Sequence, residues 1–128
     1  MSTIYEMGGH QHLYIIVSPV PTRAQQTSAV TAFNTYLRNQ GVPADVVDLS
    51  RANLGWRVSV DGTQVLVSIP YKTRLTRAMA QRAADWLTAR GFAIVATFDQ
   101  ADATQQAALH TLLASPAWTR PSPFGTER

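Results

Sequence analysis

The chain has 128 residues and no cysteine, with 45% hydrophobic and 15% charged residues. This length suits one domain, and the hydrophobic fraction predicts a folded protein rather than a disordered one. The lack of cysteine excludes disulfide bonds, thiolate metal sites and cysteine nucleophiles. The longest apolar run covers residues 13–17, far fewer than the roughly 20 of a membrane span, and no signal peptide is evident. We therefore expect a cytoplasmic protein without membrane contact.

The formal net charge is +3, and the positive charge is concentrated in one part of the chain. Between Arg51 and Arg90 there are seven basic residues and two acidic ones. A mild overall excess is typical of solubility, but this local concentration needs its own explanation.

The two ends of the chain lack a regular hydrophobic pattern. We expect a flexible N-terminus over residues 1–11, a single α+β domain over 12–115 and a Pro-rich C-terminal tail over 116–128. Because the tail carries Trp118 and Phe124, it either packs back on the domain or binds a partner or a second copy.

The first half of the domain predicts a strand, a helix and a second strand. The apolar, β-branched residues 13–20 predict a buried strand. Apolar residues at helical spacing predict a helix over 22–40, and Gly41 is a natural stop after it. Residues 46–49 predict another short strand.

A hairpin comes next, because Asp61 and Gly62 form a strong two-residue turn signal between two apolar runs. The register places Val58 opposite Val65 and Trp56 opposite Val67. We expect one apolar face on the core, with polar side chains on the other face: Arg57, Ser59, Gln64 and Ser68.

A second helix is predicted over 73–90, with Thr73 as its N-cap and Gly91 after its end. Its expected buried stripe contains Leu75, Met79, Ala83 and Trp86. Residues 92–98 predict a core strand, and Asp102 predicts the N-cap of a third helix that Pro116 stops. We expect the main core to include Phe33, Trp56, Val67, Met79, Trp86 and Val95.

Residues 17–47 resemble residues 67–97 at an offset of 50. The matching pairs are Val17-Ser18 with Val67-Ser68, Tyr36-Leu37 with Trp86-Leu87, Gly41 with Gly91 and, after a one-residue slip, Thr22-Arg23 with Thr73-Arg74. This pattern predicts two pseudo-twofold βαβ units that form a ferredoxin-like sheet, with an added hairpin strand and a C-terminal helix. The alternative is a three-layer α/β sheet.

The start of the second helix is the strongest candidate site. Lys72, Arg74 and Arg77 lie where the helix dipole is already positive, so local stability does not explain three cations there. Unpaired backbone N–H groups, hydroxyls and arginines suit a phosphate. With parallel neighbouring strands, the loops after both strands would lie at one end of the sheet. The candidate anion or partner-binding residues are Ser18, Arg23, Ser68, Lys72, Thr73, Arg74 and Arg77.

An alternative is a solvated basic face whose arginines pair with acids of the same chain. The candidate acidic partners are Asp45, Asp48, Asp99 and Asp102.

Catalytic and metal motifs are weak. His10 and His12 have strand spacing and His110 is remote in sequence, so we predict no metal site. Ser18 and Ser68 lack a neighbouring histidine and a nucleophile-elbow motif. Nucleotide-binding glycine motifs and paired carboxylates are also missing from the sequence, so we expect no cofactor and regard catalysis as uncertain and less favoured than binding.

The sequence favours a non-enzymatic binding or regulatory module that contacts a phosphate-bearing partner, either nucleic acid or a nucleoprotein. One alternative is a protein–protein inhibitor, adaptor or assembly component that uses a sheet edge or the tail, including as a homodimer. Another is a small enzyme with a site at the strand ends.

Overall fold

The computed structural model describes residues 11–43, 54–71 and 74–119. Their elements are β1 (Gln11–Ser18), α1 (Arg23–Asn39), β2 (Gly55–Val58), β3 (Val65–Tyr71), α2 (Arg77–Ala89), β4 (Ala93–Asp99) and α3 (Ala103–Leu113). The domain is α+β, as expected, and the strand predicted over 46–49 lies outside the described residues. None of the described helices has the length and apolar content needed to cross a membrane.

The four strands form one sheet in the order β2-β3-β1-β4, and every neighbouring pair is antiparallel. Trp56 lies opposite Val67 and Val58 opposite Val65, so the predicted hairpin register is confirmed. The expectation that the two neighbouring strands before the helices are parallel is wrong, because β1 and β3 run in opposite directions. The loops after these strands therefore lie at opposite ends of the sheet.

The main core lies between the sheet and the pair formed by α1 and α2, which share one face. Alternate residues of β1 and β3 contribute Leu13, Ile15, Val17, Val65, Val67 and Ile69 to it. The helices contribute Phe33 and Leu37 from α1 and Leu87 from α2. Burial of these aliphatic and aromatic side chains is the main force that joins the helices to the sheet.

The opposite face of the sheet is covered by α3 and by the residues after it. Ile16 and Leu66 form a second buried cluster there with Leu109 and Trp118. Trp118 is only 4% exposed, so this part of the predicted tail packs back on the domain. The backbone N–H of Val60 also donates to the carbonyl of Ala117 at 2.8 Å.

The prediction of an apolar and a polar face for the hairpin is wrong in part. Ser59 is 2% exposed, whereas Val58 and Val60 are 43% and 39% exposed at the edge of the sheet. Trp56 is half-buried against the main core. The sequence pattern predicted how β2 pairs with β3. It did not predict that β2 is an edge strand whose valine side chain is exposed.

Two further core predictions need correction. Val95 is 54% exposed because it is the additional residue of a β-bulge: Ile16 pairs with Ala96 and Val17 with Ile94. The buried stripe of α2 consists of Ala80, Ala83, Ala84 and Leu87. Met79 and Trp86 are only half-buried at its side. The helix is thus rotated from the predicted orientation.

The ends of α1 and α2 resemble each other. Thr22 caps α1 and Thr76 caps α2, and each is followed directly by an arginine. Gly41 and Gly91 come directly after the two C-caps with φ of 86° and 93°, a conformation that glycine adopts without strain.

Candidate functional site

The start of α2 lies three residues later than the sequence predicted. Thr76, not Thr73, is the N-cap, and its hydroxyl accepts a hydrogen bond from the backbone N–H of Met79 at 3.2 Å. Leu75 precedes this cap and is buried in the main core with Ala80. Leu75 and Ala80 occupy the two positions of a hydrophobic staple, an arrangement that favours a helix start at Thr76. Lys72 and Thr73 lie outside the described residues.

The first arginine of α2 is bound to the end of β4. Arg77 donates from Nε to Oδ2 of Asp99 at 3.0 Å, and Tyr71 donates its hydroxyl to Oδ1 at 2.6 Å. The backbone N–H of Ala101 also donates to Oδ1 at 2.9 Å. The carboxylate of Asp99 thus receives three hydrogen bonds at the ends of β3 and β4. Arg77 fits the alternative in which an arginine pairs with an acid of the same chain.

These contacts shift the pKa of both acidic groups. Burial alone would raise the pKa of Asp99, but hydrogen bonds from Tyr71, Ala101 and Arg77 stabilise the carboxylate and lower it overall. Burial raises the pKa of Tyr71 to about 12, with the hydrogen bond to Asp99 adding to that effect. At neutral pH the site therefore holds a carboxylate and a neutral phenol.

The remaining candidate residues do not meet at one place. Arg74 is exposed at the start of α2 and has no hydrogen bond or ion pair to the described part of the chain. Arg23 is exposed at the start of α1, at the other end of the antiparallel sheet. Ser18 donates to the carbonyl of Thr63 at 3.3 Å at that same end. Ser68 lies in the middle of β3, opposite Tyr14 and Gly55.

A larger feature that the sequence did not predict is the charge of the layer formed by α1 and α2. Six arginines and one acid, Asp85, occur over residues 23–43 and 74–91. All six arginines are exposed: Arg23, Arg38, Arg74, Arg77, Arg82 and Arg90. The other described acids, Asp61, Asp99 and Asp102, lie outside both helices. We call this surface the arginine layer.

The arginine layer extends along both helices. Each helix runs in the direction opposite to the strand before it, and β1 is antiparallel to β3. The two helices, which contact each other, are therefore antiparallel as well. Arg74 and Arg77 at the start of α2 therefore share an end with Arg38 near the end of α1. Arg23 and Arg90 occupy the other end, so cations occur along the whole length of the helix pair.

A groove of about 310 Å³ lies between α1 and α2 within the arginine layer. The guanidinium carbon of Arg82 is 5.0 Å from the centroid of the Tyr36 ring, and that of Arg90 is 3.7 Å from the Trp86 ring. Both are cation–π contacts. The groove is lined by Phe33, Tyr36, Arg82, Asp85, Trp86 and Ala89, among others. The repeat had matched Tyr36 with Trp86, which was the one sequence signal for this feature.

The described histidines, His12 and His110, do not form a metal site. Within residues 11–43, 54–71 and 74–119, no group of three or more His, Asp or Glu side chains has the geometry to hold a metal ion. His12 lies beside Gln100, with Nδ1 at 3.2 Å from its Oε1, and stacks on Tyr14. His10 lies outside the described residues.

Comparisons with known proteins identify no relative of this chain. No protein-family model, no curated protein and no solved structure matches the chain. The function of the chain must therefore be inferred from its own residues, and the arginine layer is the feature that offers the most.

Proposed function

We propose that this protein is a non-enzymatic binding module that contacts a phosphate-bearing polymer, nucleic acid, through the arginine layer. The observation that carries the proposal is the separation of charge, with six exposed arginines and one acid on α1, α2 and their flanking residues. A row of cations that neutralises phosphates supplies most of the affinity of non-specific nucleic-acid binding.

The candidate site at the start of α2 forms one end of this surface. The guanidinium of Arg74 makes no hydrogen bond or ion pair with a described residue, whereas the Nε of Arg77 already donates to Asp99. Arginine forms strong hydrogen bonds with phosphate oxygens because its planar group donates two bonds in parallel. Arg74 is thus the better phosphate ligand of the two.

The test is binding to random single-stranded and duplex nucleic acid over a salt series, with two variants of equal net charge. Arg74→Gln removes one cation from the arginine layer. Ala107→Glu adds one anion at an exposed position of α3, on the other face of the sheet. We expect the logarithm of affinity to fall linearly with the logarithm of salt concentration for the wild type.

Arg74→Gln should weaken binding and flatten the salt slope by about one unit, because one phosphate contact is lost. Ala107→Glu should leave the slope unchanged. Wild-type protein that binds neither nucleic acid at low salt would overturn the proposal. Equal effects of the two variants would mean that net charge alone, and not the arginine layer, accounts for binding.

We further propose that the domain is ferredoxin-like. The support is the element order β-α-β-β-α-β over β1 to β4, the antiparallel strand order β2-β3-β1-β4, and the shared face of α1 and α2. In this arrangement α3 is an addition that covers the other face. An experimental structure in which β1-α1-β2 and β3-α2-β4 do not superpose would contradict the pseudo-twofold relationship.

A further inference from the structure

The walls of the groove between α1 and α2 are aromatic rings held by arginines. Arg82 lies over Tyr36 and Arg90 over Trp86, and Arg90 also donates from Nη1 to the carbonyl of Trp86 at 3.2 Å. The first contact joins α2 to α1, the second lies within the C-terminal end of α2, and both rings are half-buried. The alanines of the lining, Ala32, Ala83 and Ala89, have side chains too small to fill the space.

The size and composition of the groove restrict what it accepts. Ligand pockets cover roughly 300–1,000 Å³, so a groove of about 310 Å³ has room for one ring system rather than for a large molecule. Its aromatic side chains favour a planar apolar group. The exposed arginines around it outnumber the one acid of the lining, Asp85, and favour an anion. A ligand that satisfies both conditions carries an aromatic ring and a phosphate in the same molecule.

We infer that this groove takes one unpaired base of a single-stranded nucleic acid, while the phosphates on either side of that base contact the arginine layer. The inference rests on the proposed function and specifies its substrate class. A duplex is disfavoured because its bases are already stacked and paired, whereas the bases of a single strand are free to stack on protein side chains. Arg82 lines the groove itself, and Arg90 lies over the ring of Trp86 in its lining.

The test compares two fluorescently labelled oligomers of equal length and charge, an oligothymidine and an abasic phosphodiester chain. Both offer the same phosphates, so their affinities differ only through the bases. We expect the oligothymidine to bind the wild type roughly 5- to 150-fold more tightly, the range that stacking of one base on an aromatic side chain supplies.

Two variants test whether the base binds in the groove. Ala89→Leu fills the groove from an exposed helical position, so it leaves the core intact. Tyr36→Leu removes one aromatic wall and keeps an apolar side chain. Each should reduce the advantage of the oligothymidine to less than about threefold and leave the affinity for the abasic chain unchanged. The matched control is Ala107→Leu on the outer face of α3, which should keep the full advantage.

The outcomes separate this inference from the proposed function. If neither oligomer binds, the proposed function fails and the inference fails with it. If both oligomers bind equally, the arginine layer is supported and the base site is overturned. If the oligothymidine keeps its advantage in both folded groove variants, the base binds elsewhere and the inference is also overturned. Thermal melts of each variant establish that it is folded.

Discussion

Arg77 and Asp99 join the first turn of α2 to the last residue of β4, with Nε 3.0 Å from Oδ2. The arginine side chain is 42% exposed and the aspartate side chain 18%, so water screens the pair. We expect the ion pair itself to contribute no more than about 1 kcal/mol to the free energy of unfolding. The ion pair matters more for binding, because Asp99 accepts a hydrogen bond from the Nε of Arg77 that a phosphate would otherwise accept.

The first prediction concerns acid pH. The pKa of Asp99 is lower in the folded chain than its ordinary value of 3.8, so its contribution to stability is complete at neutral pH. That contribution is lost as the pH falls through the lowered folded-state pKa, because the unfolded chain then binds more protons. Urea unfolding between pH 7 and pH 2 should show a shallower loss of stability for Asp99→Asn than for the wild type. Parallel curves for the two proteins would contradict this prediction.

The second prediction concerns alkaline pH. Burial and the bond to Asp99 raise the pKa of Tyr71 to about 12 in the folded chain, above the ordinary value of 10.0. The folded state therefore keeps a proton that the unfolded state loses, and stability should fall as the pH rises from about 10 to 12. Tyr71→Phe should reduce this fall. Ultraviolet titration of the phenols should show one tyrosine fewer in the late phase for the variant, and an unchanged profile would contradict the assignment.

The sequence predicted those features that depend on neighbouring residues. The Asp61-Gly62 turn set the pairing of Trp56 with Val67, and Gly41 and Gly91 marked the ends of two helices. Each results from local backbone preferences, which a few residues determine.

Other features depend on packing between distant segments, and no local pattern indicates them. The start of α2 depends on the burial of Leu75, and the contact between Arg82 and Tyr36 joins residues 46 positions apart. The antiparallel pairing of β1 with β3 separates Arg23 from Arg74, although the repeat had suggested that they meet. The arginine layer exists only because the two helices share a face of the sheet.

The third prediction tests the orientation of α2. Leu87 is fully buried, whereas its neighbour Trp86 is half-buried beneath Arg90. Leu87→Ala should lower the free energy of unfolding by about 2–5 kcal/mol, because it opens a cavity in the core. Trp86→Ala should cost less, although the side chain it removes is larger. Denaturant unfolding measures both, and a greater loss for Trp86→Ala would show that the helix faces the sheet as the sequence had predicted.

The last prediction concerns Trp118, which links the chain after α3 to the face of the sheet opposite α1 and α2. The ring packs with Ile16, Leu66 and Leu109, and the Trp118 carbonyl accepts a hydrogen bond from Nη2 of Arg57 at 2.8 Å. Trp118→Ala should therefore lower the free energy of unfolding by about 3–5 kcal/mol, a large share of the stability of a small domain. Val95→Ala, at an exposed position of β4, is the control and should change stability by no more than about 0.5 kcal/mol. Binding to nucleic acid should be unchanged in Trp118→Ala under conditions where it is folded, since the arginine layer lies on the other face. Loss of less than about 1 kcal/mol would show that Trp118 does not belong to the core.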